Sequence, residues 1–410
     1  MNLWLLQHLP VATFIFAAGA IVGSFLNVVI YRLPAGMSVI SPPSRCPTCG
    51  ARLSWRENLP ILGWFLVRGR CRHCAAPVSC QYILVELLVA LLFVGLYAAY
   101  YAAGPRVGWW GAVGGDWWYY NWVARTSPLF GAHLALLAAL VAMTVIDART
   151  YIIPIQIPLV VTVVAFLAHP LQALLPTMGV GIIAGHWPVP AADWQWFAAV
   201  CGGMAGIGVS VTLLKCGVLR YSFADYDQYV AEGDTFAEYP HARREMGVEM
   251  LFLLPCLAGL AGGLILGARL HAVPPPAIIQ ALGGVGGGYL AGGGLIWGIR
   301  ILGTLAFGRE AMGVGDIHLL AAVGAVLGCT APLWIFFVAP FSGLLWIAVS
   351  KGLGTAFKKT RRELPYGPHL AVATIAVIVC QPALNWAQPI YLPWLPVAGL
   401  VQTAAPGVGP

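Results

Sequence analysis

Long unbroken apolar runs alternate with short polar connectors along most of this chain. The runs at 10–32, 82–102, 130–147, 155–175, 197–216, 249–269, 279–303, 317–329, 332–350 and 368–388 reach or approach the roughly 20 residues that a helix needs to cross hydrocarbon. They do not alternate at period two, which excludes a β-barrel. The pattern predicts an all-α, polytopic transmembrane bundle of eight to ten spans, the run at 317–329 being short for a full crossing. The run at 10–32 ends in polar Asn27 and Arg32 without a small-residue cleavage site, and reads as a retained first span.

Composition agrees. Of the 410 residues 60% are hydrophobic and only 9% charged, against about 25% charged in soluble chains. The net charge of +7 is unevenly placed. Seven arginines lie between Arg32 and Arg72 against one acid, Glu57, whereas 103–129 is rich in Trp and Tyr. By the positive-inside rule the arginine loop faces the cytoplasm, and the aromatic stretch is expected as a loop at the opposite interface. Threading the spans puts Lys351, Lys358, Lys359, Arg361 and Arg362 on the cytoplasmic side as well. The basic excess thus reports orientation in the lipid bilayer, and no nucleic-acid partner is expected.

Two organisational units follow. Residues 1–104 hold two spans joined by a polar loop at 33–79, and 105–410 hold the remaining spans with a polar cytoplasmic insertion at 217–248. In the first loop, Cys46-Pro-Thr-Cys49 and Cys71-Arg-His-Cys74 form two knuckles. Four thiolates at this spacing suit a closed, structural tetrahedral zinc site, which would hold together a loop with little core of its own. Redox-active or spare cysteines are the alternative, and His73 is a weaker ligand candidate. Around the insertion, acids at 225, 227, 232, 234, 238, 245 and 249 outnumber arginines at 220, 243 and 244. That is either solvated surface or a device that steers a basic substrate.

Two further acids sit where apolar runs meet the cytoplasmic face: Asp147, ending the third run, and Asp316 in Gly313-Val-Gly-Asp316, ahead of the eighth. Ionisable groups at a membrane edge are expensive and suggest function. Two carboxylates brought together share one proton and can activate water. Gly313 and Gly315 are expected to allow irregular backbone and close approach of a substrate strand. An ordinary helix N-cap at Asp316 and interfacial anchoring at Asp147 beside Arg149 fit the same residues.

These motifs occur together with Gly23-Ser-Phe-Leu-Asn27 through Arg32-Leu-Pro34, with Ser79, Tyr82 and Glu86, and with Leu364-Pro-Tyr-Gly-Pro368. In this order they resemble the type IV prepilin peptidases, also called type II secretion leader peptidases. The resemblance implies an inner-membrane aspartyl endopeptidase with Asp147 and Asp316 as its catalytic pair. Its expected substrates are prepilins or pseudopilins, whose basic leader it removes after a glycine at the cytoplasmic face. It further implies association with pilus or type II secretion machinery and, as in many members, methylation of the new N-terminus with S-adenosylmethionine. Gln81 and Ile83 stand where the family usually has Arg and Pro, in the part associated with methyl transfer. His318 stands where the family usually has Lys. With Glu86 it is a candidate modulator, and it predicts activity more dependent on pH between about 6 and 8. Ile155 follows Pro154 where the family often has an acid. A transporter, an inactive assembly subunit of the same fold, and a Gly-x-Gly-Asp intramembrane protease with other substrates are the rival readings.

Overall fold

The computed structural model describes residues 3–104, 108–175, 192–229, 239–269, 273–352 and 365–384. Among them the regular structure is helical, with two isolated antiparallel bridges, Arg45 to Arg52 and Arg70 to Pro77. The helices are α1 (Leu3–Arg32), α2 (Leu62–Leu66), α3 (Gln81–Tyr97), α4 (Gly108–Thr150), α5 (Gln156–Leu174) and α6 (Trp194–Lys215). They continue with α7 (Tyr226–Tyr229), α8 (Ala242–Gly267), α9 (Ala277–Phe307), α10 (Val314–Leu327), α11 (Ala331–Gly352) and α12 (Gly367–Val379). Among the described residues eight helices are long and apolar enough to cross a membrane, and α10 and α12 are shorter apolar helices. The chain is a multi-pass membrane protein.

The organising element is α10. Its 14 residues measure about 21 Å, short of the ~30 Å of hydrocarbon. It packs mainly against α9 and α5, and from Leu319 to Leu327 every residue is buried. Contact with α9 is close because the Gly-rich stretch of α9 is a packing seam: a Cβ at Gly288 would lie 2.0 Å from the Gly324 carbonyl oxygen. Small residues let backbones approach in this way where apolar side chains gain nothing over lipid. The seam fixes the height of α10, and so the position of its N-terminal turn.

The aromatic stretch differs from its expectation. It is not a loop but part of α4, bent at Gly115 (φ 65°) and Trp122 (φ 58°). Trp118 is wholly buried and stacks on Tyr100 at 4.4 Å, and Tyr101 shares a 2.6 Å hydrogen bond with Thr126. The rings fill the space between α4 and the π-helical turn Ala98–Ala102 that extends α3. Burial of these large rings against one another stabilises the bent helix on its neighbour. Lys358, Lys359, Arg361 and Arg362 lie outside the described residues, as does the side chain of Lys351.

Candidate functional site

The four-cysteine loop is built from two copies of one turn. In the first knuckle the Cys46 N–H donates to the Ala51 carbonyl and the Gly50 N–H to the Cys46 carbonyl, each at 2.9 Å. In the second, Cys71 N–H to Ala76 and Ala75 N–H to Cys71 repeat both bonds at 2.9 Å. Gly50 (φ 71°) and Ala75 (φ 57°) occupy the same left-handed position, so the second knuckle accepts a conformation that costs a non-glycine residue about 1–2 kcal/mol. The result is convergence: the four sulfurs lie within 4.8 Å of one another, with Cys46 to Cys74 and Cys49 to Cys71 both 3.9 Å. Sulfurs about 2.3 Å from a tetrahedral zinc stand about 3.8 Å apart, so the donor set fits the ion.

The electrostatics of the cluster point the same way. The Cys49 and Thr48 backbone N–H groups hold the Cys46 thiol down at about 6. Against the pull of the Ala76 N–H, desolvation and the three neighbouring sulfurs push Cys74 up to about 12. The cluster accepts its first negative charge readily and resists its last, a resistance that a divalent cation between the sulfurs removes.

Glu86 fastens this loop to the bundle. It is buried on α3, accepts a 2.6 Å hydrogen bond from the Ile61 N–H and is hydrogen-bonded to Ser24 of α1. Ile61, at φ 62° and ψ −57°, is the centre of a strained γ-turn closed by the Leu62 N–H on the Pro60 carbonyl at 2.6 Å. Asn27 of α1 donates to the Tyr82 carbonyl at 3.0 Å, so α1, α3 and the loop are tied at one level.

Asp147 and Asp316 are brought together from the last turns of α4 and the first turn of α10. Both are buried, at 6% and 8% exposure, and Asp147 is the charged neighbour that Asp316 feels most strongly. Asp147 lies near a helix C-terminus, which disfavours a carboxylate, but its Oδ2 accepts a 3.0 Å hydrogen bond from the Gly367 N–H at the start of α12. Tyr366, just before that helix, is in turn within electrostatic reach of Asp316. Two helix N-termini, of α10 and α12, therefore face the acidic pair, where their unpaired N–H groups favour negative charge.

Asp316 is not an N-cap. That position is Gly313, and Asp316 is the third helical residue, its carboxylate reaching back to the Gly313 N–H as an acid in a capping box does. The glycines also differ from expectation. Gly313 has an extended backbone open to any residue (φ −72°, ψ 148°), and Gly315 lies within the helix. Gly315 is required by packing, since a Cβ there would meet the Ile153 Cβ at 2.7 Å. His318 lies two residues on, about 200° round the helix from Asp316, so any influence on that carboxyl acts through space, not contact.

The acidic insertion is only partly a solvated surface. Residues 230–238, with Glu232, Asp234 and Glu238, lie outside the described residues, as does the side chain of Asp227. Glu245 and Glu249 are buried in α8. Glu245 pairs with Arg220 at 2.6 Å and accepts from the Phe223 N–H at 3.0 Å, and Glu249 bonds Arg300 and Trp297, both at 2.9 Å. Asp225 accepts from the Tyr239 hydroxyl at 2.6 Å, which holds its carboxyl below the usual range. Sequence reasoning missed Arg300, Tyr366 and Gly367 as parts of this region. A single arginine inside an apolar run was the one signal available for the first.

Residues 17–100 match the family described as the bacterial peptidase A24 N-terminal domain. Among curated proteins, a prepilin leader peptidase/N-methyltransferase of Myxococcus xanthus is 42% identical over 145 residues, 35% of this chain and 36% of that protein. The Klebsiella pneumoniae protein of the same name is 33% identical over 190 residues, 44% of this chain and 73% of its own. That of Dickeya chrysanthemi is 26% identical over 402 residues, covering 90% of this chain and 92% of its own. The match thus spans little more than a third of the Myxococcus protein. No solved structure matches the chain.

Proposed function

The chain belongs to the prepilin leader peptidase/N-methyltransferase family, and from that premise we propose that it is an aspartyl endopeptidase of the bacterial inner membrane with Asp147 and Asp316 as the catalytic pair. The observation that carries this reading is that two buried carboxylates 169 positions apart, at 147 and 316, lie within electrostatic reach of each other. In this reading the two acids share one proton at the reacting peptide. The ionised one draws a proton from water, which attacks the peptide carbonyl; the protonated one donates to the leaving amine. No covalent enzyme intermediate forms. The Gly367 N–H orients Asp147 for this work, and the first turn of α10 orients Asp316.

The substrates are prepilin-like proteins whose basic leader approaches from the cytoplasmic side, where the arginine-rich loop also lies by the positive-inside rule. Cys46, Cys49, Cys71 and Cys74 would hold a zinc ion. Its closed four-sulfur shell supplies structure and leaves no open position for water. The relatives' names include N-methyltransferase activity, so S-adenosylmethionine is the methyl donor that this second activity would need. Gln81 and Ile83, the departures expected to bear on it, fall in the first turn of α3.

Co-expression with a prepilin-like protein, followed by mass measurement of the product's N-terminus, tests both activities. Cleavage after the leader glycine is the expected result, and a further increment of one methyl group reports the transferase. An intact leader with well-folded enzyme would overturn the proposal.

A further inference from the structure

Arg300, in the last third of α9, is 1% exposed and every arm of its guanidinium is engaged. Its Nε donates to both Glu249 oxygens, at 2.9 and 3.1 Å, and Nη2 lies 2.9 Å from Glu249 Oε1. Its Nη1 donates to the Glu310 carboxylate and to the Met312 carbonyl. The Phe223 ring lies 5.3 Å from the guanidinium carbon. An arginine buried in an apolar bundle is expensive, and hydrophobic residues of similar volume would hold helices together as well. What a guanidinium adds is direction, because its planar fork fixes several acceptors at once.

Those acceptors lie in the turn that leads to Asp316. Glu310 and Met312 are bound by Arg300, and the Ala311 N–H between them donates to Thr304 Oγ1 at 3.1 Å. Met312 is followed directly by Gly313, the cap of α10 and the residue whose N–H faces the Asp316 carboxylate. With glycines at 313 and 315 the chain itself restrains this stretch weakly, so restraint has to come from outside it. Glu249 in turn is held by the Trp297 indole.

We propose that Arg300 is a positioning residue for Asp316: it anchors the turn from Glu310 to Met312 on α8 and α9, and so sets where the first turn of α10 presents its carboxyl to Asp147. This rests on the reading that the two aspartates perform the cleavage.

The test is steady-state cleavage of a prepilin-like substrate by full-length R300Q, R300K and E310Q, with D147N and D316N alongside. In R300Q, kcat is expected to fall about 10²-fold, the cost of a small misplacement, with KM within about twofold. R300K, which keeps the charge but not the fork, recovers part of that loss. E310Q, at a side chain 16% exposed, loses about tenfold in kcat with KM unchanged. Glu310 also provides the decision if R300Q does not fold. Wild-type kcat in E310Q or in R300Q, or a loss carried by KM, would overturn the proposal. If D147N or D316N still cleaves, the aspartyl reading itself fails. If both are dead while R300Q or E310Q cleaves at full rate, only the positioning role fails.

Discussion

The backbone N–H of Gly367 donates a 3.0 Å hydrogen bond to Oδ2 of Asp147, joining residues 220 positions apart. A Cβ at this glycine would stand 2.6 Å from that oxygen and 3.1 Å from Ile153 Cδ1. G367A must therefore displace the carboxyl. At the first position of a helix, alanine is otherwise favoured over glycine by up to about 1 kcal/mol. The variant is expected to lose about 10²-fold in kcat while its melting temperature holds; unaltered kinetics would show that the contact does not orient Asp147.

Zinc is expected in the purified protein at one ion per chain. C49S/C71S, which removes one ligand from each knuckle, should abolish stoichiometric zinc and open the 41–60 segment to proteolysis, since a four-sulfur ion substitutes for a hydrophobic core here. Full zinc occupancy in that variant, measured by atomic absorption, would contradict the assignment of ligands.

Glu86 holds the loop independently of the metal. Its carboxylate satisfies the Ile61 N–H at 2.6 Å, and loss of that acceptor leaves a strained γ-turn at Ile61 without its restraint. E86L should retain zinc yet show faster proteolysis at 41–60, whereas E86Q, which keeps an acceptor, stays near wild type. Equal protection in E86L and wild type would remove this role.

Steering of a basic leader, if the insertion performs it, falls to acids other than those already engaged. Glu245 and Glu249 are paired, and Asp225 is occupied by Tyr239. Neutralising Asp227, Glu232 and Asp234 together should raise KM about threefold over wild type at low ionic strength and leave it unchanged in ~1 M salt, where the Debye length is about 3 Å. A variant KM equal to that of wild type at low ionic strength would reduce the segment to solvated surface.

Much of this was readable from residues alone, for identifiable reasons. Continuous apolar runs mark spans because lipid forces each backbone group to pair within its own helix. Cys46, Cys49, Cys71 and Cys74 are legible because ligand spacing is local. The errors arise where context decides. Trp117 and Trp118 have the composition of a loop at an interface, yet they lie in a helix, where both are buried and Trp118 stacks on Tyr100 in the turn after α3. Glu249 reads as part of the acidic loop because the apolar run begins beside it, while α8 starts earlier, at Ala242. The contact of Gly367 with Asp147 was invisible, since nothing local in Leu364-Pro-Tyr-Gly-Pro368 reports a partner 220 residues away.

Non-additivity tests the shared proton most directly. Cleavage rates of purified D147N, D316N and the double variant would be compared on one prepilin-like substrate under single-turnover conditions. If the carboxyls act as one unit, each single variant loses about 10⁴-fold and the double loses no more than either. Substantial cleavage by either single variant, or losses that multiply in the double, would contradict the account.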